Sequence, residues 1–545
     1  MTARVGRPVN SRIRVRGWLR TESPLHVGGL GHDPSEPLPI ALDGLGRLYV
    51  PGTTLAGVLR TWSRGVAVES AVVDELWGFI PERGDEGRAS RVIVADALIT
   101  EDHRLDEYGL PATPLDPGRL EVRQSAGIDR VTGAAAQEFL YSRAVVPAGC
   151  HLRLELDIES REEGAADEAR MGMLLAALGA GEIRIGAATG RGLGAVRLLD
   201  DPFELVVDRF DSPAGLLAVL RNDPARARTA ASLASAGADL PARRDLLDVR
   251  ISWTPRAPVM VRAGSGGLIL DTLPLTTRVD RRHVTLVLPG GTIKGALRSH
   301  AELVERTARR LDAPSAGPGA PAGDYSTAFR AQLDQLPAVR ALFGSARDDA
   351  GDRRAGALRA EECTALPTIP DALWDAVTGG DGAQDSAETG IGTGAAPDRR
   401  EAGDGWERGL AHSVLDRLED LGMAQADHVA LDRWTGGAAD GRLFSVLEPH
   451  TVEWEPIRLS VDLTRLAEER DSALALLLLT LRDLAGGRIP LGALTNRGFG
   501  DIDVTEITLT GGSWPESVTL PRALAGPEIA PIAQAWTDYL AQEVS

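Results

Sequence analysis

Acidic side chains set ahead of a Pro-Gly turn are the residues of this chain best placed for catalysis. Asp33, Glu36 and Asp43 precede Pro51-Gly52, and Asp271 and Asp280 precede Pro289-Gly290. A carboxylate on such a loop can hold a divalent cation or take up a proton; an ordinary solvated turn acid has the same sequence signature. Basic residues follow directly. Thr53-Thr54-Leu55-Ala56-Gly57-Val58-Leu59-Arg60 ends in Arg60, and Thr292-Ile293-Lys294-Gly295-Ala296-Leu297-Arg298 carries Lys294, the only lysine of the chain, with Arg298 one turn on. A turn feeding a helix N-terminus offers free N–H groups and a favourable dipole to a phosphate. Thr53 with Arg60, and Lys294 with Arg298, are then candidates to grip a phosphodiester backbone. A capped helix whose glycines permit close packing is the other reading. A Walker A loop is excluded, because Gly291-Thr292-Ile293-Lys294-Gly295 lacks its spacing.

Two glycine-rich turns supply further candidates. Thr189-Gly190-Arg191-Gly192-Leu193-Gly194 and Thr495-Asn496-Arg497-Gly498-Phe499-Gly500 place Arg191 and Arg497 at matching positions, with Asn496 beside the second. Both precede a strand, whereas a dinucleotide fingerprint follows one and opens a helix. Contact with a nucleic-acid backbone and simple tight-turn geometry remain open for them. His26, His32 and Asp33 match no established metal-ligand spacing. Neither a Gly-x-Ser-x-Gly elbow nor a Cys-plus-His pairing for nucleophilic catalysis is present.

The elements that must position these residues occur twice. The Pro-Gly helix, Leu76-Trp77-Gly78 against Leu342-Phe343-Gly344, Ile128-Asp129-Arg130-Val131-Thr132-Gly133 against Leu431-Asp432-Arg433-Trp434-Thr435-Gly436, and the glycine turns recur in one order. Their separation far exceeds a solenoid repeat, so a whole domain is duplicated. Periodicity predicts strands over 11–20, 91–98, 151–158 and 194–199, with helices from Thr53 or Thr54 to 64 and over 167–178. The second half follows with strands over 249–253, 458–463 and 499–509 and helices over 292–311 and 471–484. Each half approximates βαββαβ, an α+β, ferredoxin-like or RRM-like plan with long insertions. The expected domains are 1–225 and 247–512, with a linker at 226–246 and a C-terminal tail at 513–545 carrying a helix over 529–544. Stretches 313–323 and 378–405, rich in Gly and Ala, read as disordered insertions.

At 545 residues, 43% of them hydrophobic, the chain has material for two cores, and no apolar run reaches the length of a membrane span. No signal peptide is read at the N-terminus. Cys150 and Cys363 are the only cysteines, which excludes a disulfide framework and fits a reducing cytoplasm. A net charge of -19 counts against free, non-specific nucleic-acid binding. A local basic groove on an acidic body stays compatible with it.

Taken together, the motifs resemble the RAMP superfamily of CRISPR effector proteins, specifically the backbone subunits of type III complexes. Leu25-His26-Val27-Gly28-Gly29 and Tyr49-Val50-Pro51-Gly52-Thr53-Thr54-Leu55-Ala56-Gly57-Val58-Leu59-Arg60 are similar to the family's "LHIGG … PYIPGSSLKGALR". Leu76-Trp77-Gly78 is similar to "LFG", Ile128-Asp129-Arg130-Val131-Thr132-Gly133-Ala134 to "IDRxTGxA", and Gly190-Arg191-Gly192-Leu193-Gly194 to the closing "SRGLG". The resemblance implies two RRM-like backbone domains in one polypeptide, of the type III-D kind. It also implies guide RNA, target RNA, other RAMP subunits, a small subunit and a large signalling subunit as partners. A thumb hairpin in each domain, including the Asp129 and Asp432 segments, would kink the guide–target duplex. Arg130 and Arg433 would lie there as RNA contacts.

The resemblance also implies metal-dependent cleavage of target RNA, with Mg²⁺ held by an Asp two residues before a proline. In the first half that slot holds Pro37, with Glu36 alongside; in the second, Asp271 stands three residues before Pro274. Asp271 is therefore the expected catalytic and metal-binding residue, with Glu36 or Asp33 as substitutes in the first half. A non-catalytic scaffold and a guide-processing ribonuclease using His26, His32 or His283 are the alternatives.

Overall fold

Ile13, Val15 and Leu19 alternate with Arg12, Arg14 and Arg16, so one face of the first strand is fully buried while the other carries arginines. The computed structural model describes residues 9–31, 36–65, 70–80, 87–128, 135–161, 164–234, 244–264, 266–267, 270–314, 328, 331–345, 354–379 and 410–541. The chain divides into two units: Met1–Gly127 with Gln137–Leu246 and Val461–Ala467, and Ile128–Ala136 with Leu247–Ser460 and Glu468–Ser545. The architecture is α+β with several antiparallel sheets. Among the described residues no helix is long and apolar enough to cross a membrane.

In the first unit β1 (Ser11–Thr21), α1 (Gly52–Arg64), β2 (Val92–Val94), β3 (His151–Ser160), α2 (Gly164–Gly179) and β4 (Val196–Leu198) succeed one another. Their strands lie in the order β2-β3-β1-β4, and β1 pairs with β3 from Ser11 opposite Ser160 to Arg20 opposite His151. Leu55 and Leu59 of α1 and Met171, Leu174, Leu175 and Leu178 of α2 pack on the apolar face of that sheet. In the second unit β5 (Leu246–Pro255), α3 (Gly290–Arg309), β6 (Leu358–Ala360), β7 (Ile457–Asp462), α4 (Arg470–Ala485) and β8 (Ile502–Gly511) repeat the succession, with strand order β6-β7-β5-β8. In each half of the chain a long two-stranded hairpin precedes the third sheet strand: Glu121–Ile128 with Ala135–Val145, and Met423–Leu431 with Ala438–Pro449.

Several expectations need correction. α1 does not start at a threonine cap: Gly52 is its first residue, Pro51 precedes it in extended conformation, and the Gly52 N–H donates to Asp96 Oδ1 at 2.7 Å. That bond also explains why the strand expected over 91–98 breaks into Val92–Val94 and Ala97–Thr100: Asp96 turns out of the sheet to meet the helix. The expected linker belongs in part to the first unit. Leu233 is buried, Gly172 of α2 touches the Ala230–Ala234 helix without room for a Cβ, and Arg226 pairs with buried Asp208 at 2.5 Å. The tail is likewise integral to the second unit. Trp514–Thr519 pairs with β8, and in the Ile529–Ala541 helix Tyr539 donates a short hydrogen bond to buried Glu305. Residues 315–323, 380–405 and 542–545 lie outside the described residues.

Two interactions hold the framework on which the loops sit. Asp167, in the first turn of α2 and fully buried, accepts from Arg91 Nη1 at 2.5 Å and from Ser160 Oγ at 2.8 Å, tying helix to sheet. A second constraint is backbone contact without side chains. Gly186 (φ 83°) and Gly492 (φ 94°) lie against the carbonyls of His26 and Met260, where a Cβ would sit 2.3 Å from each oxygen. Asp167→Ala would leave Arg91 buried and unpaired and should cost about 3–5 kcal/mol, read as a lower urea midpoint. Gly492→Ala combines a left-handed backbone with a clash against Met260 and should cost about 2–4 kcal/mol in the same measurement.

Candidate functional site

Asp271 is exposed between buried Leu270 and Leu273, on a loop gripped from both sides by main-chain bonds. On one side Ala263 N–H donates to Leu273 O at 2.8 Å and Leu275 N–H to Val261 O at 2.7 Å. On the other, Thr272 N–H donates to Ser445 O at 3.0 Å and Leu447 N–H to Thr272 O at 3.1 Å, a parallel bridge to the hairpin strand. Ser445 also reaches the acid itself. Its N–H donates to Asp271 Oδ2 at 2.9 Å and its hydroxyl at 3.3 Å. Among the described residues none donates to Oδ1.

The first unit makes the same network, which fixes the correspondence residue by residue. Gly29 N–H donates to Pro39 O, Ala41 N–H to Val27 O, Leu38 N–H to Ser142 O and Ala144 N–H to Leu38 O. Leu38 thus occupies the place of Thr272, Pro39 that of Leu273, and Pro37 that of Asp271. The one-residue loop shift suggested by Pro274 does not exist, since Pro274 stands where the first unit has Ile40. Glu36 is exposed one position earlier. Asp33 and His32 lie outside the described residues.

The glycine turns meet the same hairpins in both units. Ala188 and Leu494, each at φ 58°, open matching 3-10 turns that end at Gly192 and Gly498. Arg191 Nη1 donates to the Tyr141 hydroxyl at 2.9 Å, and the Arg497 guanidinium lies 5.1 Å from the Phe444 ring centre. Tyr141 and Phe444 are equivalent, each one residue before the serine whose carbonyl accepts from Leu38 or Thr272. Burial would raise the Tyr141 phenol, but the Arg191 charge and hydrogen bond, with Arg143 behind them, outweigh it and leave the pKa lowered. Phe444 is further stacked by His428 at 5.3 Å, whose Nε2 lies 2.7 Å from buried Glu448. Phe444 and Ser445 are successive strand residues, so the arginine–aromatic cluster and the acid occupy opposite faces of one strand. Asn496 is exposed in its turn.

The helix candidates are more engaged with their own chain. Lys294 Nζ donates to Leu358 O at 2.6 Å, Arg298 pairs with Glu302 at 2.9 Å, and Arg60 pairs with Asp74 at 2.5 Å. Thr53 is exposed on the first turn of α1. Gly57 and Gly295 answer the question left open by the sequence: a Cβ at either would meet nothing within 4 Å. Packing inside the unit does not require them, although a glycine inside a helix costs about 0.5–1 kcal/mol relative to alanine.

An RRM sheet reads RNA through exposed aromatic residues. Here the corresponding face of β1 is neutralised instead, with Arg12 on Glu159 at 3.0 Å, Arg14 on Asp208 at 3.1 Å and Arg16 on Asp157 at 3.0 Å. The exposed candidate side chains collect on loops and hairpins. Asp432 organises the second hairpin turn by accepting from Trp434 N–H at 2.7 Å, which leaves Arg433 exposed and Trp434 95% exposed at the tip. Asp129 and Arg130 lie outside the described residues.

The remaining candidates take structural places. Asp43 and Asp280 are turn acids, accepting from Arg47 N–H at 2.8 Å and Arg282 N–H at 2.7 Å. His26 is buried with Nδ1 2.7 Å from Ala144 O; burial lowers its pKa, so the imidazole is neutral and Nδ1 donates. His283 is tied to Asp280 at 3.0 Å. Among the described residues no group of three or more His, Cys, Asp or Glu is placed to hold a metal ion. Sequence reasoning missed Tyr141, Phe444, His428, Glu448 and Ser445; the available signal was their position on the strands flanking a repeated turn, His428 before it and the others after it.

The RAMP superfamily profile matches residues 18–197 and 257–503. No curated protein matches the chain. The two matched segments span most of the sequence and contain both copies of the gripped loop, the hairpin and the glycine turn, so the chain belongs to the RAMP superfamily, a membership that implies a CRISPR-associated role in binding guide RNA.

Proposed function

We propose that the chain is a backbone subunit of a type III CRISPR ribonucleoprotein, with two fused RRM-like domains that grip guide RNA and a single site that cuts target RNA. The observation that carries this reading is the adjacency of Phe444 and Ser445 on one strand, with side chains on opposite faces: Arg497 packs on the first and Asp271 is held by the second. One short strand segment thereby joins a backbone-binding arginine to an exposed acid. The open space over Gly57 and Gly295 supports close approach of an RNA backbone to both Pro-Gly helices. The tip residues Arg433 and Trp434 suit a thumb that wedges into the guide–target duplex.

This placement also supports cleavage. Mg²⁺ is commonly held by one or two carboxylates plus substrate phosphates, so Asp271 fits a cation completed by the RNA. When bound, the cation would neutralise charge developing on the scissile phosphate. The target 2′-hydroxyl attacks the adjacent phosphorus and the bond to the 5′-oxygen breaks. A 2′,3′-cyclic phosphate and a 5′-hydroxyl result, with the proton passing between the two oxygens through water. Pro37 offers no carboxylate at the equivalent place, which favours a scaffold role without cleavage for the first unit. The buried, neutral His26 and the Asp280-tied His283 give little support to guide processing by histidine acid–base chemistry.

Reconstitution with guide, labelled complementary RNA and Mg²⁺ tests the assignment. Asp271→Ala should lower cleavage at one position by at least about a hundredfold with guide retention unchanged, and chelation of Mg²⁺ should do the same. Glu36→Ala should leave every cleavage position intact; loss of a cut would assign activity to the first unit. Gripping is read separately, from guide affinity across a salt series. Lys294→Ala and Arg497→Ala should each weaken binding and reduce the salt slope by about one counterion. Unchanged retention would return these residues to a structural role.

A further inference from the structure

The seat of Asp271 is more specific than the loop requires. An exposed aspartate ordinarily rotates freely about two torsions. Here Oδ2 accepts from both the main-chain N–H of Ser445 at 2.9 Å and its hydroxyl at 3.3 Å, and the Asp271 N–H lies 3.2 Å from the same hydroxyl oxygen. The loop does not need those side-chain bonds to stay in place. In the first unit the equivalent bridge forms with Leu38 N–H to Ser142 O at 2.9 Å and Ala144 N–H to Leu38 O at 3.0 Å, although Pro37 has no carboxylate to hold. The bridge is a backbone property; the hydroxyl-to-carboxylate bond belongs to the acid.

Ser445 sits on the long hairpin strand Ala438–Pro449, whose turn carries Trp434. The group that orients the acid is therefore part of the same hairpin that presents an aromatic tip to the nucleic acid. A carboxylate held through Oδ2 leaves Oδ1 in a fixed direction for a cation.

Resting on the cleavage reading above, we propose that Ser445 is a positioning residue for target-RNA cleavage, holding Oδ2 of Asp271 and leaving Oδ1 as the atom that would take the cation. Ser445→Ala keeps the main-chain donor and removes the hydroxyl. Ser445→Thr restores a hydroxyl at the same carbon.

The test is kcat for target cleavage in the assembled ribonucleoprotein at saturating target, alongside target Kd and guide retention, with Asp271→Ala as reference. Ser445→Ala should lower kcat about tenfold, the size of one charge-assisted hydrogen bond, with Kd within about twofold of wild type. Ser445→Thr should recover most of that loss. Wild-type kcat in Ser445→Ala overturns the proposal, as does a Ser445→Thr variant equally slow. A loss confined to Kd assigns Ser445 to RNA contact and overturns it too. Undiminished cutting by Asp271→Ala would instead bring down the cleavage reading itself, and the proposal with it.

Discussion

The site depends on main chains approaching each other with no side chain between them. In the second unit the segment after β5 is flanked on one side by the glycine turn, through Gly500 N–H to Pro258 O at 2.9 Å and Ala493 N–H to Met260 O at 2.8 Å. On its other side lies the Asp271 loop, which passes the contact on to the hairpin strand through Thr272 and Ser445. Any Cβ at Gly492 or Gly500 would fall 2.3 or 2.5 Å from a carbonyl oxygen, so the turn closes only with glycine. The first unit builds the same ladder through Gly194 N–H to Pro24 O and Ala187 N–H to His26 O. Positions of the acid, the arginine and the hairpin are thus set by backbone hydrogen bonds rather than by side-chain packing, and survive wide variation in the residues displayed.

Charge is distributed to match. The molecule is strongly acidic overall, and the arginines on the β1 face are each matched to a carboxylate. These partly buried ion pairs cancel the field that would draw RNA to the sheet. Arg191 and Arg497 differ in partner. They lie against a phenol and a phenyl ring, which orient a guanidinium without cancelling its charge. An acidic body with a few uncancelled arginines on loops disfavours adventitious nucleic acid while leaving local grips for a backbone.

Much of this was legible in the sequence where the physics is local. Alternation in residues 11–20 and 151–158 predicts the two central strands, and the recurrence of the glycine turns reflects conformations that only a few residues adopt. Element ends were less legible. Thr53 and Thr54 look like caps, but the cap is an aspartate more than forty positions away, and no local rule joins Asp96 to Gly52. The tail reads as an appendage because its anchor, Tyr539 on Glu305, joins residues distant in sequence. Ser445 and Phe444 carry no motif; their role arises when a hairpin strand is bridged to a loop that lies far from it in the chain.

The equivalence of Pro37 and Asp271 gives the duplication its meaning. The loop that bears them is held by bonds in which neither side chain takes part, so the residue there was free to change without cost to the fold. A proline suits the first unit, because the Asp271 N–H makes only a side-chain bond to Ser445 Oγ and the sheet-like bridge begins one residue later. Ser142 remains in the first unit at the place of Ser445, a hydroxyl at the acid's seat with no acid to hold. The scaffold therefore keeps two sets of features separable: the gripped backbone with its arginine–aromatic contact, present in both units, and the exposed carboxylate held by a serine, present together once among the described residues.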